Sequence, residues 1–482
     1  MHENGHNDHQ FQSTPIDVQC ANRVTTIRTM APVTDFAVKD EYQYLEGLGN
    51  YHSSEAFPGA NQPVNNSPQK PSYGLRTERI SGSSFTAPRN QNLQTWLYRT
   101  TSSMDHSGFE EVEGQVMDEP RHWTPNSYMW PAIDVEPDQD WTSWRLLGRN
   151  GEPAQKSGLA IWLFSATMDM PEHTAYSSLD GDCLIVPQAG ALDIQTELGK
   201  MMVRQNEIAV IPRGIRYRVT LPTGAARGYV CELYQGHFQL PELGVIGSTG
   251  LANQRDFQIP VAHYDGALSS DGKTAIPNDA SWIITSRLNG KLWRCTQDHT
   301  PFDVAAWHGT CYPYKYDLAR YCVLGNVLFD EHDPSLYTVL TAPSHREPGT
   351  AVVDFAIIPP RWVASEDTFQ LPYYHRNTMS EFYGPIINAQ DPAFPLTEGK
   401  EFKPFVAGLN GSMACHGPSE EEFECAREMD TSKPVKTMAE GITVFLLETE
   451  MPLFLTGWAY EAAVKNFKAG GSGKGRRGKA KM

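Results

Sequence analysis

The sequence predicts a mainly β protein of two domains with few short helices. Apolar, strand-like runs recur along the chain, each closed by turn-forming residues rather than continued with helical periodicity. Between them lie stretches dense in Gly, Pro, Asn and Ser, such as Phe57-Pro58-Gly59 and Val64-Asn65-Asn66-Ser67-Pro68, which read as turns and loops. The clearest helix start, Ser419 with Glu422 three residues on, forms a capping box that opens only a short helix, from Glu420 to about Met429. A length of 482 residues suggests about three domains, but β-rich domains run longer than that estimate assumes, so two are expected.

Residues 1–30 are polar and without periodicity, and are expected to form a disordered extension. From Asp35 to Arg99 short strands and long loops should wrap over a scaffold. Residues 100–155 stay loop-rich, with Trp123, Trp130, Trp141 and Trp144 as expected packing anchors. The pattern then tightens into strands at Gly158–Phe164, Cys183–Val186, Ala191–Glu197, Glu207–Ile211, Ile215–Val219 and Arg227–Tyr234. A hairpin is marked at Leu198-Gly199-Lys200 and a tight turn at Pro212-Arg213-Gly214. Strands this short and this regularly punctuated predict a cupin-like jelly-roll or β-sandwich architecture. No HxH follows Gly181-Asp182, so the first barrel is expected to be structural and metal-free.

Residues 236–298 read as a connecting region. Strand text resumes at Tyr321–Leu324, Leu336–Leu340, Ala351–Ile358, Gly441–Leu447 and Leu453–Leu455. The expected units are therefore an extension at 1–30, an N-terminal domain at 31–298, a C-terminal jelly-roll domain at 299–467 and a basic flexible tail at 468–482.

Composition narrows the chemistry. Hydrophobic residues at 40% and a charged fraction of 20% suit a folded chain with a large core. A formal net charge of -17 argues against a nucleic-acid partner, because phosphate binding needs clustered cations. No apolar stretch reaches the roughly eighteen residues of a membrane span, and the first residues lack a signal-peptide core, so a cytoplasmic protein is expected. The eight cysteines form no CxxC pair and should mostly be reduced and buried.

Three residues stand out against that background: His375 after a Pro372-Tyr373-Tyr374 turn, Glu381 at the head of an apolar stretch, and His416 in Cys415-His416-Gly417-Pro418. With 15 His and 57 acidic residues, a histidine near a carboxylate arises easily by chance. All three, however, sit at element ends where segments can converge. Two imidazoles and one carboxylate suit divalent iron, holding one face and leaving adjacent positions for a chelating substrate and dioxygen. Cys415 is the weaker candidate ligand, since the other three already complete a site.

Longer stretches carry a resemblance. Tyr44-Leu45-Glu46-Gly47-Leu48-Gly49-Asn50, Phe85-Thr86-Ala87-Pro88-Arg89, Glu232-Leu233-Tyr234-Gln235-Gly236-His237, Ala306-Trp307-His308-Gly309 and Tyr374-His375-Arg376-Asn377-Thr378-Met379-Ser380-Glu381 occur in the order seen in the homogentisate 1,2-dioxygenase family. The chain resembles that family from about Pro32 to Trp458. The resemblance implies Fe(2+) on His375, Glu381 and His416, with His308 as the base toward a substrate hydroxyl. It also implies an aromatic substrate with O2, and a trimer or hexamer. Two positions depart from the family pattern. Asn410 stands where a histidine is usual, and Gln390, on an ungapped count, stands where a substrate-touching tyrosine is usual, with Tyr383 as a substitute. Substrate contacts are thus expected from His416, Tyr383, Gln390 and Asn410. The open alternatives are a paralogue acting on another substituted hydroquinone or a gentisate-like ring, and a non-catalytic double barrel.

Overall fold

The computed structural model describes residues 39–62, 68–115, 118–131, 137–242, 252–323, 337–364, 373–387, 406–417, 420–433, 435–437 and 442–469. The N-terminal extension, the basic tail, Ser419 of the capping box and Gln390 lie outside them.

The fold is mainly β, and its first half contains a jelly roll. Strands Ser157–Ala166, Thr174–Ser178, Asp182–Ala189, Leu192–Thr196, Gly199–Val203, Glu207–Ile211, Tyr217–Thr220 and Ala226–Leu233 follow one another along the chain. Numbered in that order, they pair as 1-8-3-6 in one sheet and 2-7-4-5 in the other, the double Greek key of a jelly roll. Central strands such as Asp182–Ala189 and Ala226–Leu233 are buried on both faces, which explains their unbroken apolar text.

The second half repeats this order. Ala351–Ile358 pairs with Ile442–Thr449, which pairs with Ser380–Ile387, which pairs with Ala407–Asn410. The opposite sheet retains Arg361–Ala364 paired with Val435–Thr437. The two halves pack sheet against sheet: the ring of Tyr229 lies 5.1 Å from Phe382 and 5.8 Å from Phe445, centroid to centroid. Gln188 Nε2 donates to Pro385 O at 2.9 Å across the same seam.

Each half also lends the other an edge. Tyr128–Trp130 pairs with Ala407–Asn410 of the second sheet, while Phe454–Leu455 pairs with Arg145–Glu152 of the first. Strands Val304–Gly309 and Tyr314–Asp317, beyond the expected cut at 298/299, pair with His52–Glu55, Gln94–Arg99, Glu207–Ile211 and Gln258–Pro260.

Several expectations are corrected. The supposed connecting region contains a hairpin, Trp282–Leu288 with Lys291–Gln297, turning at Asn289 and Gly290, both at positive φ (52° and 74°). That is the backbone of a two-residue hairpin turn, and Asn-Gly is its favoured sequence. Trp123 is 51% exposed and so is no core anchor, whereas Trp130, Trp141 and Trp144 are buried. A helix not anticipated from the sequence, Gly457–Ala469, closes the described chain. Its first backbone N–H groups, on Gly457 and Trp458, donate to the Asp118 carboxylate at 3.1 and 3.2 Å, the charge sign a helix N-terminus favours.

Candidate metal centre

Strand Ser380–Ile387 decides where Glu381 points. Side chains alternate along a strand; Phe382 faces the first barrel, so Glu381 and Tyr383 face the interior of the second. Register then places Asp354, Glu448, Glu381 and Asn410 side by side on four adjacent strands. Directly opposed residues in such sheets bring their Cβ atoms to about 5 Å. Glu448, Glu381 and Asn410 are all buried.

The two histidines reach this row from outside the strand. His375 N donates to His416 O at 2.9 Å and His416 N to His375 O at 3.1 Å, so a reciprocal backbone pair zips the two segments together. Their rings sit edge to face with centroids 4.2 Å apart. A Cβ on Gly417 would lie 2.8 Å from Tyr373 O and 2.9 Å from Tyr374 Cα, so only glycine permits this approach.

One donor atom each from His375, Glu381 and His416 lies within 4.8 Å of the others. His416 Nε2 is 2.8 Å from Glu381 Oε2, and His375 Nε2 is 3.7 Å from Oε1. His416 Nδ1 lies 2.9 Å from the carbonyl of Ala414; a carbonyl only accepts, so Nδ1 carries a proton and Nε2 is the nitrogen turned to the cluster. Both Nε2 atoms are shielded from solvent, and the Glu381 carboxylate is the polar group they face. Two buried imidazole nitrogens facing one carboxylate are a donor set that fits a divalent transition metal. Without an ion, burial works to raise the Glu381 pKa, but His416 and Asn377 outweigh it and hold the carboxyl below its ordinary value. For His416 burial works downward, and Glu381 outweighs it and pushes the imidazole up.

The remaining site candidates fall at different distances from this cluster. Asn410 is the cross-strand neighbour of Glu381. Tyr383 is one inward position further along, its hydroxyl 3.3 Å from Met129 Sδ and its ring across Gly408, where a Cβ would come within 2.3 Å of it. Cys415 is exposed and is not among the converging atoms. His308 lies on strand Val304–Gly309, in a separate sheet. Its Nδ1 meets the Tyr51 hydroxyl and its Nε2 lies 2.9 Å from the Tyr98 hydroxyl. Burial holds the His308 imidazole below its ordinary pKa.

Two polar residues at the centre were not singled out from the sequence. Asn377 donates through Nδ2 to Glu381 Oε1 at 2.8 Å, and Glu448 lies beside it. An acid at an inward position of the apolar strand Ile442–Thr449 was the available signal for Glu448.

Comparison with known proteins sets this geometry in a family. Residues 43–318 match the family model described as homogentisate 1,2-dioxygenase N-terminal, and residues 319–469 match homogentisate 1,2-dioxygenase C-terminal. The chain belongs to the homogentisate 1,2-dioxygenase family. Homogentisate 1,2-dioxygenase of Emericella nidulans is 48% identical over 440 residues, covering 90% of this chain and 94% of the relative. The enzymes of that name from Caenorhabditis elegans and Drosophila melanogaster are each 43% identical, covering 89% and 88% of this chain and 96% and 95% of their own. The family models thus cover both halves, and His375, Glu381 and His416 all lie within the C-terminal match.

Proposed function

We propose that the chain is a non-haem Fe(2+)-dependent dioxygenase that opens the ring of homogentisate (2,5-dihydroxyphenylacetate) with O2 to give maleylacetoacetate, in tyrosine and phenylalanine catabolism. The observation that carries this reading is the convergence of His375, Glu381 and His416 in a chain of this family. Those three residues would hold the ion. Ferrous iron supplies a way for triplet dioxygen to react with a singlet aromatic ring.

The other roles rest on the chain's own groups. His308, kept neutral by burial, is proposed as the base for a substrate hydroxyl. Tyr383 and Asn410, beside Glu381 on the inner face, are proposed to contact the ring substituents with His416, and Gln390 is proposed as a further contact. Neither the gentisate-like alternative nor a non-catalytic double barrel is favoured, given identity of this extent with named homogentisate 1,2-dioxygenases.

A homo-oligomer, trimer or hexamer, is part of the same proposal. Tyr373, Tyr374 and Met413, on the segments that bear the histidines, are exposed, which supports a covered rim. The proposed compartment is cytoplasmic; no described helix is long and apolar enough to cross a membrane. The proposed units are the two barrels with their boundary near residue 318, flanked by the extension and the basic tail.

The test is anaerobic reconstitution with Fe(II), then oxygen uptake with homogentisate, gentisate and other hydroquinones, with mass spectrometry of the product. Uptake with homogentisate and a ring-opened product are expected. No uptake with any hydroquinone overturns the assignment.

A further inference from the structure

Asn377 stands where four pieces of chain meet at the cluster. Its backbone carbonyl accepts from Met413 N at 2.7 Å, tying the His416 segment to the His375 segment. Its side-chain Oδ1 accepts from Met379 N at 3.0 Å, which fixes the amide orientation and turns Nδ2 inward. From there Nδ2 donates to Glu381 Oε1 at 2.8 Å and faces Glu448 Oε2 at 3.5 Å. An amide nitrogen carries two hydrogens, so one group can serve both carboxylates. Glu381 and Glu448 are direct cross-strand neighbours and both are buried, an arrangement that like charges oppose.

We infer that Asn377, backed by Glu448, is a positioning residue for the metal ligand Glu381. Its amide occupies Oε1 and keeps the two acids from turning apart, so that Oε2 is the oxygen presented beside His416. This rests on the metal-centre reading above. Groups that orient a ligand in this way commonly change metal affinity by about 10–100-fold when removed.

The test is ferrous-ion affinity by anaerobic competition with a chromogenic chelator, alongside the thermal midpoint of the metal-free protein. Asn377→Ala is expected to weaken binding by about 10–100-fold, with a metal-free midpoint close to that of the parent. Glu448→Gln keeps a carbonyl acceptor for the amide and is expected to stay within about threefold of the parent, whereas Glu448→Leu loses the acceptor and should weaken binding beyond that. Unchanged affinity in a folded Asn377→Ala protein overturns the inference. Should that variant fail to fold, the Glu448 pair decides: equal affinity in the Gln and Leu variants, or equal loss in both, overturns it. A parent protein that binds no ferrous ion overturns the metal-centre reading itself, a result distinct from a parent that binds and variants that bind as well.

Discussion

At the residue scale, the Nδ1 proton of His416, held on Ala414 O, leaves one nitrogen free for the cluster, and removing any of the three donors should be felt at once. His375→Ala or Glu381→Ala is expected to abolish retention of iron through gel filtration, measured by elemental analysis. His308→Ala should retain iron at the parent level and lower kcat, because His308 lies in another sheet. The pH profile adds a sign. Burial lowers the His308 pKa, so the neutral base persists below the ordinary value of about 6.5. The acid limb of kcat/KM in the parent should therefore fall below about pH 6.5 and disappear in the alanine variant. The convergence of His375, Glu381 and His416 was legible in the sequence because all three sit at element ends, where segments can meet. Asn377 and Glu448 were not, because their role depends on which strands lie side by side.

At the element scale, the approach of the two histidine segments depends on Gly417. Gly417→Ala would force a Cβ to within 2.8 Å of Tyr373 O, and spreading the segments to relieve it should cost about 1–3 kcal/mol. Reduced iron affinity with little change in far-ultraviolet circular dichroism is the expected result. Several of the buried strands were legible, and Ala351–Ile358 and Glu207–Ile211 match the apolar runs residue for residue. The hairpin at Asn289-Gly290 carried a strong turn signal that the surrounding polar text obscured. The closing helix was missed because its start depends on Asp118, distant in sequence, and because the residues it buries in the core include small ones, Ala459 and Ala463; Ala459 O also takes the indole N–H of buried Trp130 at 2.7 Å.

At the scale of the whole molecule, long-range ties govern stability. His237 Nδ1 lies 2.6 Å from Asp182 Oδ2 and its Nε2 lies 2.6 Å from Gly82 O, so the ring binds the N-terminal segment to the first barrel. Burial opposes the charge on both groups. The pairing outweighs it, raising the His237 pKa, and with Arg213 it lowers that of Asp182 to about 2. The histidine's contribution is full below its unfolded value of about 6.5 and is lost as pH rises through the raised folded value. That of the aspartate is full above about 3.9 and is lost as pH falls toward its depressed value. The excess thermal midpoint of the parent over His237→Gln should thus be largest between about pH 4 and 6.5, as read by calorimetry. The reciprocal edge strands make the two barrels a single cooperative body, and one denaturation transition is expected by both near- and far-ultraviolet signals. The exchange was not legible in the sequence, because three residues such as Tyr128–Trp130 carry too little pattern to name a partner. A chain cut short just before Phe454 would leave Arg145–Glu152 of the opposite half with bare backbone donors and acceptors along its flank. Such exposed flanks recruit other chains, so a lesion at the far end would surface as clumping seeded from the near one.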